Sequence, residues 1–136
     1  MQFASNNMLP ISIAVISGIM LLWSFFGNRF RGVKGVSPSG ALQLINHKGA
    51  LVLDVRQPGE YDDGHILNSR LIPLGKLKER IGELEKYREK SIVVVCRSGQ
   101  RSGTACFILG RQGFQHAYNL EGGMLAWQKS NLPVEK

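Results

Sequence analysis

No Asp, Glu, Lys, Arg or His occurs in residues 1–28 of this chain. That absence excludes an ordinary solvated surface for the stretch. Within it, residues 8–26 read MLPISIAVISGIMLLWSFF, and only Pro10, Ser12, Ser17, Gly18 and Ser24 interrupt the large apolar side chains. At about 1.5 Å per helical residue the run reaches roughly 28 Å, close to the roughly 30 Å of a bilayer's hydrocarbon core. Residues 1–7 carry no basic charge and FFGNRFRG offers no small-residue cleavage pattern, which argues against a cleaved secretory signal. Residues 1–28 are therefore expected to form one transmembrane anchor, with Trp23, Phe25 and Phe26 as an interfacial belt. Arg29, Arg31 and Lys34 follow on the C-terminal side alone. The positive-inside rule then expects the N-terminus outside and the remainder in the cytoplasm, held on a bacterial inner membrane. Residues 29–36 become a basic linker within reach of anionic headgroups.

Cysteine is also scarce. Cys96 and Cys106 are the only two, too few for a disulfide framework, and no CxxC pair or spaced Cys/His cluster offers a metal its ligands. Neither a metal nor another cofactor is expected. The formal charge of +7 is spread: beyond Arg29, Arg31 and Lys34, 14 basic residues face 10 acidic ones, with no basic stripe interleaved with aromatics. Nucleic acid is thereby excluded as an expected partner. A chain of 136 residues leaves room for one globular domain after the anchor.

What is present beyond residue 36 alternates helix and strand. Ser37-Pro38 supplies an N-cap and a first-turn proline before Ala41, Leu42, Leu44 and Ile45, and Gly49 stops that helix. Residues 50–55, ALVLDV, form a near-continuous apolar run, the mark of a strand covered on both faces. A short helix is expected over residues 58–63 and a brief strand at residues 71–72. Leu77, Ile81 and Leu84 recur at helical spacing, predicting a helix over residues 77–87. Residues 91–95, SIVVV, read as the strongest strand, and helix 102–112, strand 115–120 and helix 124–130 follow. This order predicts an α/β domain over residues 37–133, in three layers with a central parallel sheet. Functional groups in such folds gather at the carboxyl ends of the strands. Cys96 stands at the end of the strongest one.

The loop after it reads CRSGQRS over residues 96–102. Gly99 lets the backbone curl so that N–H groups converge, and the helix beyond adds its positive end, an arrangement that favours an anion. Bringing a thiol from about 8.5 to about 6.5 needs about 2.7 kcal/mol, and a helix end supplies only about 0.3–1 kcal/mol. The rest is expected from the N–H groups of Arg97, Ser98, Gly99, Gln100 and Arg101 and from the charges of Arg97 and Arg101. The plainer reading of a free cysteine is a small buried hydrophobe. The polar, basic, glycine-bearing loop argues for a reactive one.

The stretches LVLDVRQPGEYDDGHI, LIPL, IVVVCRSGQRSGTACFILGRQGF and YNLEGGMLAW make the chain similar to the rhodanese family over nearly all of its soluble part. The resemblance implies a rhodanese-like fold and transfer of sulfane sulfur. Cys96 would attack a small donor anion such as thiosulfate, become a persulfide, and pass the outer sulfur to a thiol or cyanide-like acceptor. By the same likeness, residues 96–101 cradle the persulfide with Arg101 at the rim. One departure stands out: the family commonly has G-H-I-P-G-A where this chain has Gly64-His65-Ile66-Leu67-Asn68-Ser69.

Asp54 and Arg56 end the strand beside that of Cys96, placed either to support the loop and attract an anion or to hold each other as an ion pair. His65 reads as a structural hydrogen-bonding residue, Cys106 as helix packing, and Met124 and Trp127 as core. Two competing functions remain. A membrane-tethered interaction module would use the same fold without chemistry. A cysteine phosphatase or arsenate reductase would use a related cradle, but its pattern puts arginine six positions after cysteine, where this chain has Ser102.

Overall fold

The structure is a computed structural model that describes residues 9–22 and 32–136. Residues 9–22 form α1, fourteen residues whose large apolar side chains lie exposed, Leu9 and Leu21 by more than two thirds. Among the described residues no helix is long and apolar enough to cross a membrane. The described residues do not bear out the expected anchor; of its expected span over residues 8–26 they hold residues 9–22. Its ends at Met8 and residues 23–26, with the expected aromatic belt, lie outside the described residues, as do Arg29 and Arg31.

The second compact unit, Gly32–Lys136, holds the sheet. Strands β1 (Lys34–Val36), β2 (Leu51–Asp54), β4 (Arg70–Leu71), β5 (Ile92–Val95) and β6 (Ala117–Leu120) lie in the order β1-β6-β5-β2-β4, every pairing parallel. Helices α2 (Pro38–Lys48), α3 (Pro58–Asp62), α4 (Leu77–Arg80), α5 (Gln100–Arg111) and α6 (Gly123–Lys129) make the connections. The Ser37 Oγ accepts from the Gly40 N–H at 3.1 Å, and Gly49 ends α2 at a φ of 60°. This is the expected cap and stop.

Side chains alternate along β5, and the alternation divides the core. Ile92, Val94 and Cys96 pack on one face with Leu53, Leu77, Leu84, Ala105, Cys106 and Leu109. Val93 and Val95 pack on the other with Ala41, Val52, Met124 and Trp127. Hence α4 and α5 cover one side of the sheet, α2 and α6 the other, and Cys96 lies beneath α5.

Three expectations need correction. Lys34–Val36 is the edge strand β1, paired with Tyr118–Leu120 of β6, rather than linker. Its Lys34 Nζ donates to the Gln115 carbonyl at 3.3 Å, so that ammonium is engaged within the domain. The helix expected over residues 77–87 tightens after Arg80 into a 3-10 helix, Ile81–Tyr87. In a 3-10 helix residues i and i+3 eclipse, which puts Ile81, Leu84 and Tyr87 in one row against the core. Finally, β3 (His65–Ile66) and β7 (Val134–Glu135) pair antiparallel, carrying regular structure past Pro133. Two-residue strands are too short to leave a period in the sequence.

Candidate functional site

Cys96 follows the last residue of β5 and is 1% exposed. Its Sγ accepts from the Gly99 N–H at 3.0 Å and lies 3.2 Å from the Ser102 Oγ. Gly99 sits at a φ of 107°, a left-handed conformation that turns the loop back over the sulfur. Burial pushes the thiol up, as its largest single influence. The Ser102 hydroxyl and the backbone N–H groups of Ser102, Gly99 and Ser98 together outweigh it and hold Cys96 below its ordinary value.

The donors converge because the loop carbonyls are drawn the other way. The Met124 N–H donates to the Cys96 carbonyl at 2.8 Å and the Leu125 N–H to the Arg97 carbonyl at 3.2 Å. Gly122 and Gly123, at φ of 73° and 58°, start α6 in the left-handed conformation that lets it approach so closely. A Cβ on Gly123 would stand 2.5 Å from the Arg97 carbonyl group and nearer still to the Cys96 carbonyl oxygen. The GGM part of YNLEGGMLAW is thus a brace that shapes the cradle.

Arg101 is half-buried at the rim and binds Glu60 through two bonds, Nη1 to Oε1 at 2.7 Å and Nη2 to Oε2 at 2.9 Å. The bond to Arg101 is the first cause that holds the Glu60 carboxyl down to about 2; burial opposes it, and the Gln57 N–H assists. Asp54 and Arg56 form a buried ion pair, with Arg56 Nη2 2.8 Å from Asp54 Oδ2 and also donating to the Gly64 carbonyl at 2.8 Å. Of their two expected roles, the geometry supplies the ion pair at the strand end. Hydrogen bonds are the leading influences that lower the Cys96 thiol, and the charge of Arg101, which also couples to Cys96, is held first by Glu60. Arg97 is exposed and its side chain makes no ion pair among the described residues. It lines an open cavity of about 230 Å³ with Arg56, Glu60, Asp63, Met124, Leu125 and Gln128. Ser98 is exposed on the loop and Gln100 at the first residue of α5, which begins two residues before the expected helix.

Residues 37–130 match the family described as Rhodanese-like domain. The chain belongs to that family. It is 33% identical to the uncharacterized protein YibN of Escherichia coli K12, over 98% of this chain and 94% of that one. A protein of Allochromatium vinosum named sulfurtransferase is 36% identical, over 72% of this chain and 90% of its own length. The crystal structure of a rhodanese-related protein from Thermoplasma volcanium superposes with a TM-score of 0.68 at 34% identity, covering 75% of this chain and 97% of that one.

The departure from the common rhodanese pattern leaves the backbone turn in place. Asn68 takes a φ of 63°, and the Ser69 N–H closes the turn on the Ile66 carbonyl at 3.1 Å. Asn is the non-glycine residue that tolerates this conformation, so Leu67-Asn68 does the work of Pro-Gly. His65 is structural as expected: Nδ1 meets the Tyr61 carbonyl at 2.9 Å and the ring stacks on Tyr61 at 3.7 Å. Cys106 is buried on the inner face of α5, and desolvation first, then the neighbouring Cys96 charge, push its thiol up to about 12. Sequence reading missed Glu60, Ser102 and Asn119 as site residues. Glu60 lies 41 positions from Arg101, and only a folded chain brings them together. Ser102, by contrast, follows Arg101 directly, and a short hydroxyl residue at a buried helix start was a usable signal.

Proposed function

We propose that this rhodanese-like chain is a sulfurtransferase that carries sulfane sulfur as a Cys96 persulfide, from a thiosulfate-like anion to a thiol or cyanide-like acceptor. The observation that carries the reading is the convergence of the Ser98, Gly99 and Ser102 N–H groups on a sulfur at a strand end. In the loading step the Cys96 thiolate attacks the outer sulfur of thiosulfate. A Cys96 S–S bond forms, the donor's S–S bond breaks, and sulfite leaves with the electron pair. The outer sulfur then carries the negative charge, and the loop N–H groups are placed to hold it. In the unloading step a thiolate or cyanide attacks that outer sulfur, and Cys96 departs as thiolate. The naming of the Allochromatium vinosum relative as a sulfurtransferase supports the same reading.

Arg97 suits the recruitment of a small dianion, since it borders the cavity and makes no ion pair among the described residues, whereas Arg56 and Arg101 are already paired. The cradle is ill suited to phosphoryl transfer. Arg101 comes five positions after Cys96, one short of the phosphatase pattern, and its planar fork is spent on Glu60. Intact mass after incubation with thiosulfate tests the proposal. The native chain should gain one sulfur atom and lose it to cyanide, while Cys96→Ser gains none. Equal gain by Cys96→Ser, or aryl phosphate hydrolysis by a native chain that never takes up sulfur, would overturn it.

A further inference from the structure

Asn119 is buried on β6, between edge strand β1 and β5, and takes no part in the two transfer steps. Its Nδ2 donates to the Gly99 carbonyl at 3.0 Å, which can only accept. That bond settles the amide's orientation, so Oδ1 faces the Ser102 Oγ, 2.5 Å away, and must receive a proton from it. Ser102 has one hydroxyl proton and two claimants, Asn119 Oδ1 and Cys96 Sγ. With Cys96 a neutral thiol both are served: the S–H donates to Oγ and the O–H to Oδ1. When Cys96 is a bare thiolate the proton must turn to sulfur, and Oδ1 loses its donor in a buried place. When Cys96 is a persulfide the charge has moved to the outer sulfur, the inner one is a weak acceptor, and the proton returns to Oδ1.

We propose that Asn119 is a positioning residue that competes with Cys96 for the Ser102 proton and so favours the sulfur-loaded carrier over the bare thiolate. The loaded state rests on the sulfurtransferase reading; the competition itself does not. The titratable and charged groups coupled to Cys96 are Arg101, with its partner Glu60 and nearby Asp54, and Cys106 within the same helix. Arg97 adjoins it in the loop. None of these is changed in the test.

The rate of Cys96 alkylation by iodoacetamide is followed against pH in the full chain and in Asn119→Leu, Asn119→Asp, Ser102→Ala and the Ser102→Ala/Asn119→Leu pair. Releasing one neutral hydrogen bond to the thiolate should lower the Cys96 midpoint in Asn119→Leu by about half to one pKa unit, a threefold to tenfold change in ionisation constant. Asn119→Asp keeps an acceptor at the same place and should raise the midpoint. Both variants disturb the Gly99 contact, so a loosened loop would move them in the same direction. In the Ser102→Ala background Asn119→Leu should do nothing, because no proton is left to compete for. An unchanged or raised midpoint in Asn119→Leu, a lowered one in Asn119→Asp, or an equal shift without Ser102 would overturn the competition. Should Asn119→Leu fail to fold, the sign in Asn119→Asp decides. A second arm reads the loaded fraction by mass at a fixed thiosulfate to sulfite ratio, above the midpoint. The ratio of loaded to unloaded chain should fall by the same factor in Asn119→Leu, and an unchanged ratio would overturn the bias toward loading. A native chain that takes up no sulfur would overturn the sulfurtransferase reading and that bias with it, while the alkylation arm still decides the competition.

Discussion

Gly123→Ala should disable the cradle without replacing any residue in it. Gly123 has a φ of 58°, and an added Cβ would meet the carbonyl groups of both Cys96 and Arg97. The left-handed conformation costs an alanine about 1–2 kcal/mol. The contact is with backbone, so relief requires α6 to withdraw from the loop. That withdrawal strains the bonds from Met124 N–H to the Cys96 carbonyl and from Leu125 N–H to the Arg97 carbonyl, each worth about 1 kcal/mol net. The sum is about 3–4 kcal/mol, which in a domain of this size lowers the melting temperature by roughly 12–16 °C. The two carbonyls would then be free to turn inward against a charged sulfur. A misplacement of about 1 Å at the reacting atom costs roughly 10²-fold in rate. The assay is thermal unfolding beside thiosulfate-dependent sulfur transfer, with Gly110→Ala as control. No atom outside its own helix backbone would approach a Cβ at Gly110, and its φ is ordinary, so alanine there should stabilise α5 by about 0.5–1 kcal/mol. Native stability and native sulfur transfer in Gly123→Ala would refute the idea that α6 shapes the loop.

At neutral pH iodoacetamide should label Cys96 alone, because its thiol lies below the ordinary value while Cys106 is pushed up to about 12; peptide mass mapping reads this directly. Cys106→Ala should keep sulfur transfer and lose about 1 kcal/mol of stability from its packing site, checked by urea unfolding. Glu60→Gln should alter acid stability. The folded carboxyl sits at about 2 against an ordinary 4.5, so its stabilisation is complete above pH 4.5 and is lost as pH falls toward 2. The difference in urea stability between native chain and variant should therefore shrink across that window. It should amount to about 1 kcal/mol at neutral pH, because both partners are a third exposed and water screens them. Arg101→Lys should lose about as much, since an ammonium cannot reproduce the two-bond fork, and restored stability in that variant would argue against the fork.

The amino-acid sequence by itself determined the alternation of elements, the parallel sheet and the site's centre. Continuous apolar runs such as SIVVV, the Ser37-Pro38 cap and the stop at Gly49 act within a few residues, and local chemistry is legible locally. The loop of residues 96–101 was legible for the same reason: a glycine, two arginines and a cysteine between strand and helix need no distant partner to be noticed. What held the loop in shape was not. Its carbonyls are turned by α6, its rim is tied to α3 through Glu60, and its serine is shared with Asn119 of β6. Those partners are 17 to 41 positions away, and no periodicity links them. Charge was only partly legible, because the sequence shows that Arg97 and Arg101 are close to Cys96 but not that Glu60 holds one of them in a two-bond ion pair. The apolar run of residues 8–26 likewise predicted a membrane anchor, whereas among the described residues no helix is long and apolar enough to cross a membrane. Apolar composition reports what a segment avoids; what meets its surface is decided by its surroundings.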